Sequence, residues 1–167
     1  MAEPESAERA YEGRVLGVTV EQWPTGQREI VERADAVAIV AVDADGLLVL
    51  VRQPREAVRT HLVELPAGVA GEGEEPLATA KRELAEETGL HGGSWRPGPS
   101  FFSTPGYSRE RVHLFFAEGL EEGEPAPDEG EEIEVVRWSA AEVEARLGEL
   151  EDSKTLIGAL LFLRRRA

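Results

Sequence analysis

The sequence predicts an α/β fold, with helices on both faces of a mixed β-sheet and an antiparallel hairpin near the N-terminus. Three observations support this prediction. Alternating residues on either side of the turn Trp23–Gly26 indicate a hairpin. The continuous apolar run Ala36–Val42 is typical of a strand that is buried on both faces. One helical segment, 75–88, separates the strands into two groups, as in mixed sheets built from strand–helix units.

The predicted elements follow one another through short connections. Asp43–Gly46 turns the chain between two strands, and Pro66 ends a third. The Gly- and Glu-rich residues 67–75 predict a loop, and residues 91–99 predict a loop with a short edge strand near Trp95. In chain order the predicted strands are 11–20, 28–33, 36–42, 47–51, 61–65, 111–117 and 133–138, and the predicted helices are 75–88, 139–147 and 153–164.

The ends and the buried face of the central helix are predicted from local signals. Pro76 suits its first turn, and Gly89 suits the left-handed position that follows its last turn. At about 100° per residue, one stripe of the helix faces the core: Leu77, Ala80, Leu84 and Thr88. Ser139, with Glu142 three residues later, has the spacing of a capping box and predicts another helix start.

Length and composition limit the classes of function. The 167 residues fit one domain, which we expect over residues 11–167 behind a frayed stretch, residues 1–10. A net charge of −15 argues against binding nucleic acid or an anionic membrane, but it suits a divalent cation. The absence of cysteine excludes disulfides and thiolate metal sites. No apolar run approaches the roughly 20 residues of a membrane helix, and we expect a cytoplasmic protein.

Three carboxylates cluster on the central helix. Glu83, Glu86 and Glu87 are three or four residues apart, so they share one face. Arg82 lies four residues before Glu86 and is placed to fix its orientation. The like charges repel, and a divalent cation would relieve that repulsion. A solvated acidic face is the alternative interpretation.

The spacing around this helix resembles a known motif. Gly68, five residues, Glu74, seven residues and then the segment 82–90 match every specified position of the Nudix box. The chain therefore resembles the Nudix hydrolases, which fold as an α/β/α sandwich. The resemblance implies hydrolysis of a nucleoside diphosphate that is linked to another group, with Mg²⁺ as cofactor and Mn²⁺ or another divalent cation as the alternative.

The resemblance also implies roles for the residues of the box. Glu83 and Glu87 are the expected principal metal ligands, with Glu86 in the same cluster and the carbonyl of Ala67 as a further ligand. Arg82 is expected to orient a glutamate. Gly68, Glu74 and Gly89, the remaining residues of the box, are expected to act structurally. For Glu74, direct metal ligation is the alternative.

Flanking segments resemble the ADP-ribose pyrophosphatase branch of the family. The box is entered through the segment Glu64–Gly68, and Pro105 lies fifteen residues after Leu90. The branch implies cleavage of ADP-ribose to AMP and ribose 5-phosphate. It also implies a homodimer whose N-terminal strands cross to the partner subunit. The alternatives are another nucleotide sugar, a dinucleotide, a nucleoside triphosphate, or a module that senses ADP-ribose without hydrolysing it.

The branch further implies residues that bind substrate or activate water. Arg28 and Glu29 are expected at the adenine or ribose end, and Arg55 at the diphosphate. For each arginine, a surface ion pair is the alternative. In the segment Ser103–Glu110, Gly106 is expected to contact the substrate, and Glu110 is expected near the terminal ribose or a metal ion. A general base is expected in the acidic loop 118–134, for which a solvated loop is the alternative; the candidates are Glu131 and Glu129.

Overall fold

The computed structural model describes residues 2–71, 73–127, 130 and 132–165, and these residues contain ten strands and three α-helices. A 3₁₀ turn, Leu147–Glu149, follows the second helix. The strands are β1 Ser6–Glu12, β2 Gly17–Trp23, β3 Gly26–Glu32, β4 Ala36–Val42, β5 Leu48–Arg55, β6 Thr60–Glu64, β7 Ala67–Val69, β8 His91–Phe102, β9 Arg111–Glu121 and β10 Glu134–Trp138. The helices are α1 Pro76–Thr88, α2 Ala140–Ala145 and α3 Ser153–Arg164.

The strands form two sheets. β1, β2 and β3 make an antiparallel N-terminal sheet. The second sheet has the order β10-β5-β4-β9-β8, with β6 beside β5 and β7 beside β4. In it β4 and β9 are parallel, whereas the other pairs are antiparallel. The predicted mixed sheet and N-terminal hairpin are therefore confirmed.

The core lies on both faces of the mixed sheet. Successive residues of β4 point to opposite faces: Val37 and Ile39 pack with Leu84 of α1, whereas Ala38 and Val40 belong to a second cluster that includes α3. All of these β4 residues are essentially fully buried. This arrangement explains the unbroken apolar run in the sequence and confirms the α/β/α sandwich. None of the described helices is long and apolar enough to cross a membrane.

The helix ends form as their local signals predict. Gly89 adopts the left-handed conformation, with φ of 76°, and its N–H donates to the carbonyl of Ala85. An L side chain at this position would also collide with the backbone of Gly123. At α2, Ser139 and Glu142 form the reciprocal capping box. Both predictions are confirmed because they depend on backbone geometry within one turn of helix.

Several sequence expectations differ from the structure in whole or in part. Residues 6–10 are not frayed but belong to β1, whose seven side chains are all exposed, so no apolar alternation reveals the strand. Residues 67–69 form β7 rather than a loop, because β4 offers them a partner. The edge strand expected near Trp95 is present, but it is the long strand β8, which covers all of residues 91–99 in place of the expected loop. Leu77 in the first turn of α1 is exposed instead of facing the core.

The mixed sheet opens on one side. β4 and β5 pair directly through two residue pairs, Ala41–Val49 and Val42–Leu48. Beyond them β4 pairs with β7, whereas β5 pairs with β6. The two strands therefore diverge, and a cleft opens between the β4–β7 and β5–β6 pairs.

Candidate active site

The cleft between the diverging strands has a volume of about 850 Å³ and contains groups of both charges. One wall comes from β7 and α1, and the opposite wall from β5, β6 and the start of α3. Its charged lining residues are the cations Arg33, Arg55, Arg82 and Lys154 and the anions Glu56, Glu64, Glu83, Glu87, Glu110 and Asp152. Such a mixture suits an anionic ligand that binds together with a metal ion.

Arg82 contacts three carboxylates of the box at once. Its Nη1 donates to Glu86 Oε2 at 2.7 Å, and its Nη2 lies 2.9 Å from Glu83 Oε1. Its Nε and Nη2 also donate to the two oxygens of Glu74 at 3.2 Å each. The predicted contact with Glu86 is confirmed, but the guanidinium also neutralises part of the repulsion that the sequence interpretation left to a metal ion.

Glu74 is held on the outer side of this cluster. Hydrogen bonds from Arg82, reinforced by the N–H of Gly71, lower the pKa of Glu74 from 4.5 to about 2. The first of these contacts also raises the pKa of Arg82. Glu74 does not line the cleft. This geometry favours a structural role for Glu74 over metal ligation.

A pH dependence of stability follows from Glu74. Its folded-state pKa lies below its unfolded value, so the interaction stabilises the fold above about pH 4.5 and is lost as the pH falls toward about 2. We expect Glu74→Gln to melt at a lower temperature than the wild type at neutral pH. The difference in Tm should shrink over this acidic range in scanning calorimetry. Glu75→Gln, at an exposed position without a side-chain cap bond, controls for charge alone. A difference in Tm that stays constant with pH would contradict the assignment.

Glu83 and Glu87 pack against the short strand β7. Glu87 is only 6% exposed, and its Oε2 accepts a hydrogen bond from the N–H of Ala67 at 3.1 Å. The carboxylate of Glu83 lies directly over the α-carbon of Gly68, in the space that a Cβ there would fill. Strand β7 and helix α1 can therefore pack this closely only because residue 68 has no side chain.

Gly68→Ala is expected to lower activity without unfolding the protein. The added methyl group would displace the Glu83 carboxylate, and displacements of about 1 Å in an active site cost on the order of tenfold to a hundredfold in rate. Steady-state hydrolysis rates and the Tm should be measured together. The control is Gly148→Ala, whose new Cβ would meet open space. Equal activity of Gly68→Ala and the wild type would show that the close approach is unimportant.

The opposite wall of the cleft is built around the buried carboxylate of Glu64. Arg55 donates to both of its oxygens, at 2.6 and 2.8 Å, and Lys154 Nζ donates to Oε2 at 2.6 Å. Burial acts to raise the pKa of Glu64, but the two cations outweigh it and the pKa lies below its usual value. The hydrogen bond to Glu64 raises the pKa of Arg55. Arg55 is therefore held in an ion pair, and that pair lies in the cleft rather than on an open surface.

The other predicted site residues fall into three groups. Glu110 lines the cleft, where its Oε1 lies 3.2 Å from Arg33 Nη1. Arg28 and Glu29 are exposed on β3, outside the cleft that this one chain forms. Three further residues also lie apart from it: Glu86 and Gly106, which do not line it, and Gly89, at the far end of α1. The candidate bases Glu129 and Glu131 lie outside the described residues.

Sequence reasoning assigned no site role to several residues that line the cleft. Lys154, at the start of α3, and Arg33, after β3, meet the other cations there only because distant segments come together. Gln53 was also missed, although a signal for it exists. It lies two residues before Arg55 on β5, and residues at that spacing share one face of a strand.

The carboxylates fit a divalent cation by their chemistry. In the described part of the chain, no three His, Asp or Glu side chains already converge on one point. Mg²⁺ does not require such convergence, because it commonly takes one or two carboxylates and completes its shell with water and substrate phosphates. Glu83 and Glu87 both face the cleft and supply hard oxygen donors. This donor set suits Mg²⁺ or Mn²⁺ better than a softer metal.

A model of the NUDIX domain matches residues 32–157, which include the whole cleft-forming part of the mixed sheet. The chain belongs to the Nudix family of hydrolases. The predicted fold class and the resemblance based on the box are thereby confirmed.

Individual known proteins are similar to this Nudix chain over most of its length. It is 38% identical over 159 residues to an ADP-ribose pyrophosphatase of Bacillus subtilis (strain 168), and the aligned region covers 89% of this chain and 85% of the relative. It is 37% identical over 159 residues to a methanol dehydrogenase activator of Bacillus methanolicus, with 90% and 86% covered. A solved structure of an ADP compounds hydrolase has the same fold, with a TM-score of 0.79 at 23% identity, covering 98% of this chain and 92% of the other.

Proposed function

We propose that this Nudix hydrolase cleaves the diphosphate of ADP-ribose to AMP and ribose 5-phosphate in a reaction that depends on Mg²⁺. The main supporting observation is the cleft, in which Glu83 and Glu87 face Arg55 and Lys154 across the open side of the sheet. The similarity to an ADP-ribose pyrophosphatase of Bacillus subtilis supports ADP-ribose as substrate.

The metal would be held by Glu83 and Glu87, with the carbonyl of Ala67 as a further ligand and Glu86 in the outer part of the cluster. The strand register supports the role of Ala67. The N–H of Ile39 donates to the carbonyl of Pro66, so these two residues form a hydrogen-bonded pair. Hydrogen-bonded and non-hydrogen-bonded pairs alternate along an antiparallel ladder, so the next pair, Ala38 and Ala67, is not hydrogen-bonded. The N–H and C=O of Ala67 therefore point away from β4. Its N–H already reaches Glu87, on the side of the cleft. A bound divalent cation would neutralise phosphate charge and lower the pKa of an attacking water.

The protein's own groups bind the substrate and move the proton. Arg55 and Lys154 would pair with the diphosphate oxygens, while Arg82 holds the carboxylates of α1 in place. Water attacks one phosphorus, the bond from that phosphorus to the bridging oxygen breaks, and a loop carboxylate takes the proton from the water. Glu131 or Glu129 is the proposed base. The loop is attached near the end of α1, because the N–H of Ala126 donates to the carbonyl of Glu86 at 2.9 Å. Ala126 lies three residues before Glu129 and five residues before Glu131.

A substrate panel tests this proposal. We expect ADP-ribose to give a higher kcat/KM than GDP-mannose, a diadenosine polyphosphate or ATP. Chromatography should show AMP and ribose 5-phosphate in equal amounts, and EDTA should abolish the reaction until Mg²⁺ is restored. A higher kcat/KM for another member of the panel would replace ADP-ribose as the proposed substrate. Tight binding of ADP-ribose without turnover would favour a sensing module.

The proposal includes a homodimer with exchanged N-terminal strands. Two features support it: Arg28 and Glu29 lie away from the cleft of their own chain, and Tyr11, Val15 and Leu16 expose apolar surface beside the N-terminal sheet. If Arg28 serves the partner's cleft, mixing Arg28→Ala and Glu83→Gln protomers restores one complete site in each mixed dimer. We expect activity to rise well above that of either variant alone. A monomer in light scattering, or no recovery on mixing, would contradict this arrangement.

A further inference from the structure

Gln53 contains a buried polar group without a partner. Its side chain is 8% exposed, and its Nε2 is the one buried side-chain nitrogen or oxygen that has no hydrogen-bond partner among the described residues. Gln53 lines the cleft. Leaving a buried donor unpaired costs free energy, so such groups are rare in folded proteins. A ligand that supplies an acceptor would remove this cost.

The register of β5 and β6 places Gln53 beside the cationic wall of the cleft. Gln53 and Arg55 point to the same face of β5 and lie roughly 7 Å apart along the strand. Gln53 pairs with Leu62 across the ladder, and the next position of β6 on that face is Glu64, which holds Arg55 and Lys154. An anion bound by these two cations would therefore bring its oxygens within reach of the Gln53 amide.

The neutral amide of Gln53 can donate a hydrogen bond to an anion without adding a charge to the cleft. Glu64 and Asp152 together already balance Arg55 and Lys154, so another charge at position 53 would need its own buried counter-ion. A neutral N–H donor can approach a phosphate oxygen closely without that cost. Side-chain amides donate to phosphate oxygens in the same way in other phosphate-binding proteins.

We propose that Gln53 is a substrate-recognition residue whose Nε2 donates to a non-bridging oxygen of the diphosphate. This inference rests on the proposed function and adds a specific contact to it. The residue discriminates in favour of ligands that place a diphosphate oxygen at the β5 wall.

The test combines ligand affinity with the stability of the free protein. Gln53→Met keeps the volume of the side chain but removes its donor, and Gln53→Glu replaces the donor by a charged acceptor. Gln22→Met is the matched control, because Gln22 is exposed on the N-terminal sheet. Dissociation constants are measured by calorimetry with α,β-methylene ADP-ribose, which is not cleaved, in the presence of Mg²⁺. Thermal unfolding is followed without ligand.

We expect Gln53→Met to weaken binding of the analogue roughly tenfold to a hundredfold, as for other hydrogen bonds to charged groups. Gln53→Glu should weaken it further through repulsion. The Tm of ligand-free Gln53→Met should equal or exceed that of the wild type, because an unpaired donor has been removed, and Gln22→Met should change neither quantity. Wild-type affinity in Gln53→Met, or a lower Tm of its ligand-free form, would overturn the inference while leaving the proposed function intact. Failure of the wild type to bind the analogue would refute the proposed function and the inference together.

Discussion

Replacing Glu83 with Gln is expected to lower kcat by about 10³-fold or more. The carboxylate faces the cleft beside Gly68 and is a proposed ligand of the metal ion. An amide keeps the shape of the side chain but loses the negative charge that a hard cation requires. The Mg²⁺ concentration for half-maximal activity should rise as well, and initial rates over a range of Mg²⁺ concentrations measure both effects.

A Glu-to-Gln substitution at a nearby exposed position serves as the control for Glu83→Gln. Glu75→Gln removes an exposed carboxylate at the start of the same helix and is expected to retain wild-type rates. Glu87→Gln should resemble Glu83→Gln in rate. If both Glu83→Gln and Glu87→Gln kept full activity, the assignment of the metal ligands would be wrong.

Replacing Glu64 with Leu is expected to destabilise the fold by about 3 kcal/mol. Glu64 is 1% exposed and accepts hydrogen bonds from both Arg55 and Lys154. Its removal would leave Arg55 without its carboxylate partner, whereas Lys154 would keep Asp152 at 2.9 Å. Arg55 is partly open to solvent, so water would relieve some of this cost. The free energy of unfolding in urea measures the effect.

An exposed position gives the comparison for Glu64→Leu. Glu144 lies on the outer surface of α2, and Glu144→Leu should change the unfolding free energy by less than about 0.5 kcal/mol. The double variant Glu64→Leu with Arg55→Met should recover part of the loss, since the uncompensated charge is then removed. An unfolding free energy of Glu64→Leu equal to that of the wild type would show that the ion pairs contribute no net stability.

The parts of the fold that the sequence predicted are those governed by short-range geometry. The buried strand β4, the two ends of α1 and the capping box of α2 each follow from residues within a few positions of one another. β1 and β7 were missed because neither has an apolar alternation of its own. β1 forms as the antiparallel partner of β2, the next strand along the chain, whereas β7 forms because the distant strand β4 offers hydrogen-bond partners.

The same division applies to the candidate site. Helical periodicity alone places Glu83, Glu86 and Glu87 on one face, so the chemistry of the box is readable from spacing. Tertiary structure decided how those groups are used: Arg82 also binds Glu74, eight residues away, and Gly68 makes room for Glu83. The sequence did not show that Glu64 would be buried between Arg55 and Lys154, the latter ninety positions away.

The sequence by itself thus indicated the family and the reaction class, through its resemblance to the Nudix box. It also determined that the carboxylates of α1 share one face, because a helix repeats at a fixed interval whatever surrounds it. Tertiary structure decided the cationic wall of the cleft and the unpaired amide of Gln53. Both depend on the divergence of β4 from β5 and on the packing of α3 against β6. Burial and charge pairing are properties of such long-range packing, and no local spacing in the chain specifies them.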